Sequence, residues 1–261
     1  MTAMQHDFDI SSRTASRGKP PALTLGASMR WAALSNLLPE KLGEVIEIGC
    51  GQGAMACRLA PLTDSYTAIE PDEQSYKRAR ERLSGAATVL NVDDAALPGD
   101  AQFDTLCSFE VLEHIEEDEE ALTRWAGRVR PGGWIVLSVP AHSKRLGPSD
   151  EMVGHFRRYD KGDLATRLER LGFEQIREQQ YGFPAGYVLE AIRNAMARRI
   201  LARGSGPDDF AERTASSGRF FQPEGVVMSA LMRVGGALCA AAQQLFPDRG
   251  PGLIVVARRQ G

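Results

Sequence analysis

The stretch Glu44–Ala56, EVIEIGCGQGAMA, decides how the rest of the chain is read. Val45, Ile46 and Ile48 form a short apolar run, Gly49, Gly51 and Gly53 follow at once, and Ala54 to Ala60 has helical character. A strand that ends in glycines and restarts as a helix lets the chain turn tightly and lets a ligand approach the backbone. Taken alone the loop is ambiguous. It also fits the dinucleotide pattern G-x-G-x-x-A through Gly49, Gly51 and Ala54.

Outward from this loop the same alternation repeats. A first helix is expected from Gly26 to Leu38, where Met29, Ala33 and Leu37 recur at helical intervals and Pro39 stops the pattern. After the loop come a strand around Tyr66–Ile69, a helix over about 72–83, strands at 88–92 and 105–109, an acidic helix over 116–129 and a strand at 134–139. Strands alternating with helices at this pace predict a parallel sheet covered on both faces. A polar loop, AHSKRLGPSDEMVGHFRRYD, precedes a helix capped by Asp160 and Asp163 that ends at Gly172, and strands are expected at 173–180 and 253–257. Between those two lie about seventy residues that read as two helices, 184–203 and 226–246, joined by a polar segment with Phe220 and Phe221. An insert of that size usually has a task.

Composition narrows the classes. The 261 residues are 43% hydrophobic and 25% charged, which excludes disordered and fibrous chains. With 31 Lys and Arg against 34 Asp and Glu, the net charge of −3 offers no general field for a nucleic acid backbone. Cys50, Cys57, Cys107 and Cys239 fall at no metal-ligand spacing, so no metal site is read, and the four are expected as reduced thiols of a cytoplasmic protein. No charged start precedes an apolar block, so no signal peptide is expected. The apolar stretch 226–246 carries Arg233, two glycines and two glutamines, which favours a buried or lid helix over a membrane span.

Two acids give the glycine loop a ligand. Glu70 ends the second strand, where a carboxylate can accept hydrogen bonds from both hydroxyls of a ribose. Asp94 follows the third strand and could accept from the amino group of adenine while the Ala95 amide meets a ring nitrogen, with Asp93 as the competing acid.

With these residues in view, the chain resembles the class I S-adenosylmethionine-dependent methyltransferases. The resemblance rests on five ordered motifs: VIEIGCGQG, AIEPD, VDDAALP, FDTLCSFEVLEHI and RVRPGGWIVLSVP. It covers roughly residues 26 to 180 and the last strand. It implies an α/β, Rossmann-like seven-stranded sheet, mostly parallel with a reversed last strand, and a helical insert before that strand. The expected organisation is a mobile tail over 1–21, a cofactor-binding domain over 22–182, a helical lid over 183–250, and the last strand over 251–261. The family further implies that Gly49, Gly51 and Gly53 line the methionyl part of S-adenosyl-L-methionine, that Glu47 lies beside its amino-acid end, that Glu70 holds the ribose, and that Asp94 reads the adenine. Phe109 and Glu110 look like the residues facing the reactive end. His114, Arg130, Pro131, Gly132 and Gly133 match positions that shape the fold.

The loop after the fifth strand should stand beside the cofactor and form the acceptor wall. Asp150–Tyr159 is similar to a stretch found in some small-molecule and envelope-precursor methyltransferases. His155 is the first candidate for a general base, against the alternative of a loop histidine tied to Asp150 or Tyr159. His142 is the second, and Tyr159 could orient an acceptor. Phe183, Tyr187, Phe220 and Phe221 could cover an aromatic or isoprenoid-like acceptor, or pack on the core. A basic helix at 184–203 could also touch a membrane surface. The motif of enzymes that methylate base amino groups is replaced by FEVL, which disfavours DNA as acceptor. The rival readings are an NAD(P)-dependent oxidoreductase, a non-catalytic nucleoside-binding protein and a protein-methylating enzyme; the oligomeric state is not legible.

Overall fold

The computed structural model describes residues 20–202 and 226–261. The tail at 1–19 and the pair Phe220 and Phe221 lie outside the described residues.

Seven strands form one sheet: β1 (Glu44–Ile48), β2 (Ser65–Ile69), β3 (Thr88–Leu90), β4 (Phe103–Phe109), β5 (Val129–Pro140), β6 (Phe173–Tyr181) and β7 (Gly252–Arg259). Their spatial order is β3-β2-β1-β4-β5-β7-β6. The pairs among β1 to β5 are parallel, and β7 runs antiparallel to both neighbours, so six strands share a direction and the last is reversed. This is the expected topology. The strand order reverses direction beside β1, and the crevice at the carboxyl ends of β1 and β4 is where such sheets bind ligands.

Among the described residues eight helices accompany the sheet: α1 (Leu25–Leu34), α2 (Ala56–Leu59), α3 (Glu73–Arg82), α4 (Asp118–Gly127), α5 (Pro148–Val153), α6 (Asp163–Arg170), α7 (Ala185–Ala202) and α8 (Val226–Leu245). Alternating strand residues face two separate cores. Ile46, Leu106, Ile135 and Val255 pack against Trp125 of α4 and Leu164 and Leu168 of α6. Val45, Cys107, Val136 and Val256 face the other side, against Met29 and Leu34 of α1, Leu59 of α2 and Ala79 of α3. That two-residue alternation is what buries both faces of each strand.

Local chemistry sets the helix ends. The Thr24 hydroxyl accepts from the Ala27 N–H to start α1, and the Asp72 carboxylate accepts from Ser75 to start α3. α1 stops at Leu34, four residues short of the expected end. There the Ser35 hydroxyl and the Asn36 amide both donate to the Ala32 carbonyl, an alternative to the helical ladder. Asp163 reaches back to accept from the Asp160 N–H, as expected, but the Asp160 carboxylate caps nothing; it accepts from the N–H and hydroxyl of Ser143. The polar loop after β5 is more ordered than expected and contains α5, whose first turn is closed when Gly147 N–H donates to Asp150 Oδ2.

The late helices take different places. α8 packs on α1, where a Cβ at Gly236 would lie 2.5 Å from the Ser28 hydroxyl, so only glycine permits this approach. Buried Gln243 of α8 accepts from the Gly182 N–H and donates to the Phe246 carbonyl. No helix among the described residues is long and apolar enough to cross a membrane. α7 instead lies against α5, held where Ser149 N–H donates to Asn194 Oδ1.

Candidate active site

A single cavity of about 830 Å³ opens at the carboxyl ends of β1, β2 and β4 and runs beneath α7. Its size is that of a site for drug-sized ligands. At one end lies the glycine loop. Gly49, Gly51 and Gly53 all have positive φ, near 71°, 53° and 76°. A Cβ at Gly51 would meet nothing within 4 Å, so the loop leaves open space on its ligand side; at Gly49 it would strike Val111. Gly53 does not line the cavity and lets α3 approach, its missing Cβ lying 3.3 Å from Ala79.

Glu70 sits at the rim of this space and is buried. Its Oε2 accepts from the Gly51 N–H at 2.8 Å and its Oε1 from the Asp72 N–H at 2.9 Å. A carboxylate offers about four acceptor sites, so both oxygens retain a lone pair for ligand hydroxyls. Burial raises its pKa, opposed by those two backbone donors. Glu47 lies deeper and accepts from the Tyr66 hydroxyl at 2.8 Å; burial pushes its carboxyl up to about 7. These residues fit a nucleoside ligand with a cationic end: hydroxyl acceptors and an acid surround a cradle that a Cβ would fill.

Phe109 and Glu110 also line the cavity. Glu110 is held in the left-handed region, φ 58°, and its Oε1 accepts from Ser138 and from Tyr181. A non-glycine residue there is strained, a feature that clusters at functional sites. Arg30 of α1 completes this part, 3.3 Å from Glu110 Oε1 and 5.9 Å from the Phe109 ring centroid. Sequence reading missed Arg30, because nothing in α1 marks which polar residue turns inward.

At the far end stands His155. Its Nδ1 lies 2.8 Å from Asp150 Oδ1, and Nε2 lies 3.8 Å from Glu113 Oε1. Asp150 is gripped by Arg158, whose NH1 donates to Glu190 of α7 at 3.1 Å. The hydrogen bonds from His155 and Arg158 outweigh burial and hold the Asp150 carboxyl below its usual range. His114 shares this wall, its ring edge-on to that of His155 with centroids 4.6 Å apart. Burial and the neighbouring His155 lower its pKa to about 3, so it is neutral. Glu113 lies behind both, fully buried, with no hydrogen-bond partner on either carboxylate oxygen. His114 was expected only to shape the fold; it faces the cavity because its turn follows β4 directly.

Besides Gly53, four expectations are corrected. Asp94 does not line the cavity: its Oδ2 accepts from Trp125 Nε1 at 3.0 Å and from Arg124, binding its loop to α4. The competing Asp93 is exposed and caps its own turn by accepting from the Ala96 N–H, and Ala95 is likewise outside the cavity. Tyr159 is 1% exposed, and its hydroxyl donates to Asp118 of α4, outside the cavity. His142 has φ 66° and turns its Nε2 toward the Gly250 carbonyl and the Tyr187 hydroxyl, both at 3.1 Å, away from the cavity. The aromatic cover also differs. Phe183 packs on Phe246 and Tyr187, and Tyr187 packs under Arg145, while the roof is made by Leu189, Met196 and Ile200.

Comparison with known proteins bears on the family and the fold. Residues 27–178 match the family described as the methyltransferase domain. An uncharacterized methyltransferase of Mycobacterium tuberculosis is 37% identical over 109 residues, covering 41% of this chain and 55% of the relative. A ubiquinone biosynthesis O-methyltransferase of Thiobacillus denitrificans is 30% identical over 116 residues, covering 42% and 49%. The chain thus spans about half the length of these curated relatives. Among solved structures, Haemonchus contortus phosphoethanolamine N-methyltransferase 2, in complex with phosphomonomethylethanolamine and S-adenosylhomocysteine, shares the fold with a TM-score of 0.54 at 16% identity, over 88% of this chain and 52% of that one. The matched segment spans the sheet's first five strands, the glycine loop and the wall that carries His155, and the chain belongs to the family of class I S-adenosylmethionine-dependent methyltransferases.

Proposed function

We propose that this protein transfers a methyl group from S-adenosylmethionine to an oxygen or nitrogen of a small acceptor with an apolar body. One observation carries the reading: a single cavity joins the glycine loop and Glu70 to the His155 wall under α7. When bound, S-adenosylmethionine supplies an electrophilic methyl group on a sulfonium. Glu70 would accept from its ribose hydroxyls, and Glu47 with the backbone of Gly49 and Gly51 would hold its amino-acid end. No adenine role is assigned to Asp94.

At the acceptor end, the partners of His155 fix its tautomer. Asp150 can only accept, so Nδ1 carries the proton, and in the neutral ring Nε2 holds the lone pair. Nε2 would take the acceptor's proton, a contribution of about 10²- to 10⁴-fold where a base is needed. Arg158 keeps Asp150 ionised and oriented. Met152, Leu189, Met196 and Ile200 supply apolar walls, and α7 acts as the lid that excludes water. The Thiobacillus relative, named for O-methylation in ubiquinone biosynthesis, supports a hydroxyl acceptor. Four free cysteines suit a reducing, cytoplasmic setting.

Calorimetry with S-adenosylhomocysteine and, separately, with NAD(P) tests this. S-adenosylhomocysteine is expected to bind and NAD(P) to give no heat, with Glu70→Ala weakening the former at least about tenfold through two lost charged hydrogen bonds. Equal affinity in the variant, or preference for NAD(P), refutes the assignment.

A further inference from the structure

We propose that Glu113, His114 and His155 form a binding site for one divalent transition-metal cation at the acceptor end of the cavity. Each side chain offers a ligand atom, and these atoms lie within 4.8 Å of one another. Bound to one cation at about 2.0–2.2 Å, they would stand roughly 3–3.5 Å apart. The site therefore closes by a contraction of at most about 1.8 Å between any two ligand atoms.

Three independent features point the same way. Glu113 is fully buried, yet neither carboxylate oxygen has a hydrogen-bond partner. Buried polar groups are almost always satisfied, so such an orphan calls for an explanation, and a bound cation is one. Next, both imidazoles are prepared as ligands. His114 Nδ1 lies 3.2 Å from the Gly154 carbonyl and His155 Nδ1 lies 2.8 Å from Asp150, so each donates its Nδ1 proton and Nε2 is the ligand atom of each neutral ring. Metal-ligating histidines are typically oriented in this way by a carbonyl or carboxylate behind them. Finally, the backbone joins the two segments: Phe156 N–H donates to the Glu113 carbonyl at 2.9 Å, fixing the loop of His155 against the turn of Glu113.

Two imidazoles and one carboxylate suit Zn²⁺, Mn²⁺, Fe²⁺ or Co²⁺ more than Ca²⁺ or Mg²⁺. His114 and His155 border the cavity and Glu113 lies behind them, so the remaining coordination positions face the acceptor, as in catalytic sites. Cation binding stands independently of methyl transfer. Its use rests on the function proposed above: the cation would hold an acceptor hydroxyl and ease loss of its proton to bulk water, replacing the His155 lone pair, which is then engaged. This revises the sequence expectation of no metal site.

The test uses the full chain stripped with chelator and titrated with Co²⁺, read by visible absorption, with Zn²⁺ in competition. One equivalent is expected to bind, and Glu113→Gln and His155→Ala should each weaken it at least about tenfold. Asp160→Asn, an exposed acid outside the cluster, should bind as wild type does. S-adenosylhomocysteine affinity, measured on the same samples, should change little, which also shows that the variants are folded. If His155→Ala fails to fold, the isosteric Glu113→Gln carries the test. Substoichiometric Co²⁺ binding, or binding unchanged in Glu113→Gln, overturns the proposal. Loss of S-adenosylhomocysteine binding in wild type with Co²⁺ binding intact would overturn the functional reading and leave the metal site standing.

Discussion

If Glu47 holds the amino-acid end of the cofactor as proposed, cofactor binding is expected to depend on pH. It is 1% exposed and surrounded by the Tyr66 hydroxyl, Arg30, Glu70 and the thiols of Cys50 and Cys107. Burial outweighs the Tyr66 hydrogen bond and the Arg30 charge, and raises its carboxyl from 4.5 to about 7. The folded protein therefore holds this proton more tightly than the unfolded chain. Its contribution to stability is full below pH 4.5 and is lost as pH rises to 7, a span worth about 3 kcal/mol at 1.36 kcal/mol per pH unit. The proposed ligand reverses the preference, because an ammonium beside Glu47 favours the carboxylate. At pH 5.5 about 3% of the free protein carries Glu47 ionised, against nearly all of it at pH 8.5, so affinity should fall about 30-fold, or roughly 2 kcal/mol. Calorimetric titration of S-adenosylhomocysteine from pH 5.5 to 8.5 measures this directly, with Glu47→Gln expected to bind more weakly and without the slope. A wild-type affinity that is flat across the range, or an unchanged slope in Glu47→Gln, refutes the reasoning.

Two further outcomes follow from the corrected residues. Asp94→Ala removes the acceptor for Trp125 and Arg124 and should cost about 1–3 kcal/mol of stability, seen in denaturant unfolding. S-adenosylhomocysteine should bind the variant within about twofold of wild type, and a tenfold loss would restore Asp94 to the cofactor site. Tyr159→Phe removes one of the bonds to buried Asp118, which keeps Arg157 and Arg167 as partners, so a loss of about 1 kcal/mol is expected. Turnover should stay within about twofold; a tenfold slower enzyme would place the hydroxyl in the chemistry.

The strand-to-glycine-to-helix pattern, the alternation of elements and the acid after β2 were readable because each is local. Backbone conformation at Gly49 and Gly51 and the position of Glu70 at a strand end depend on residues a few positions apart. The wrong assignments share another property. Asp94 is claimed by Trp125 and Arg124, about thirty residues on, Tyr159 by Asp118, and His142 by Gly250. Spacing along the chain carries no information about which distant partner captures a polar side chain. The same reason hid Arg30 of α1, whose partner Glu110 follows β4, eighty residues on.

The residue order by itself determined the layered α/β sheet and the glycine cradle, since periodic burial and turn chemistry act over short spans, while the reversed last strand came only with the family that the ordered motifs resemble. Folding alone decided which acids and imidazoles meet. Glu113 and His114 follow β4 while His155 follows α5, and only the clamp between their backbones brings a buried, unpaired carboxylate against two imidazoles.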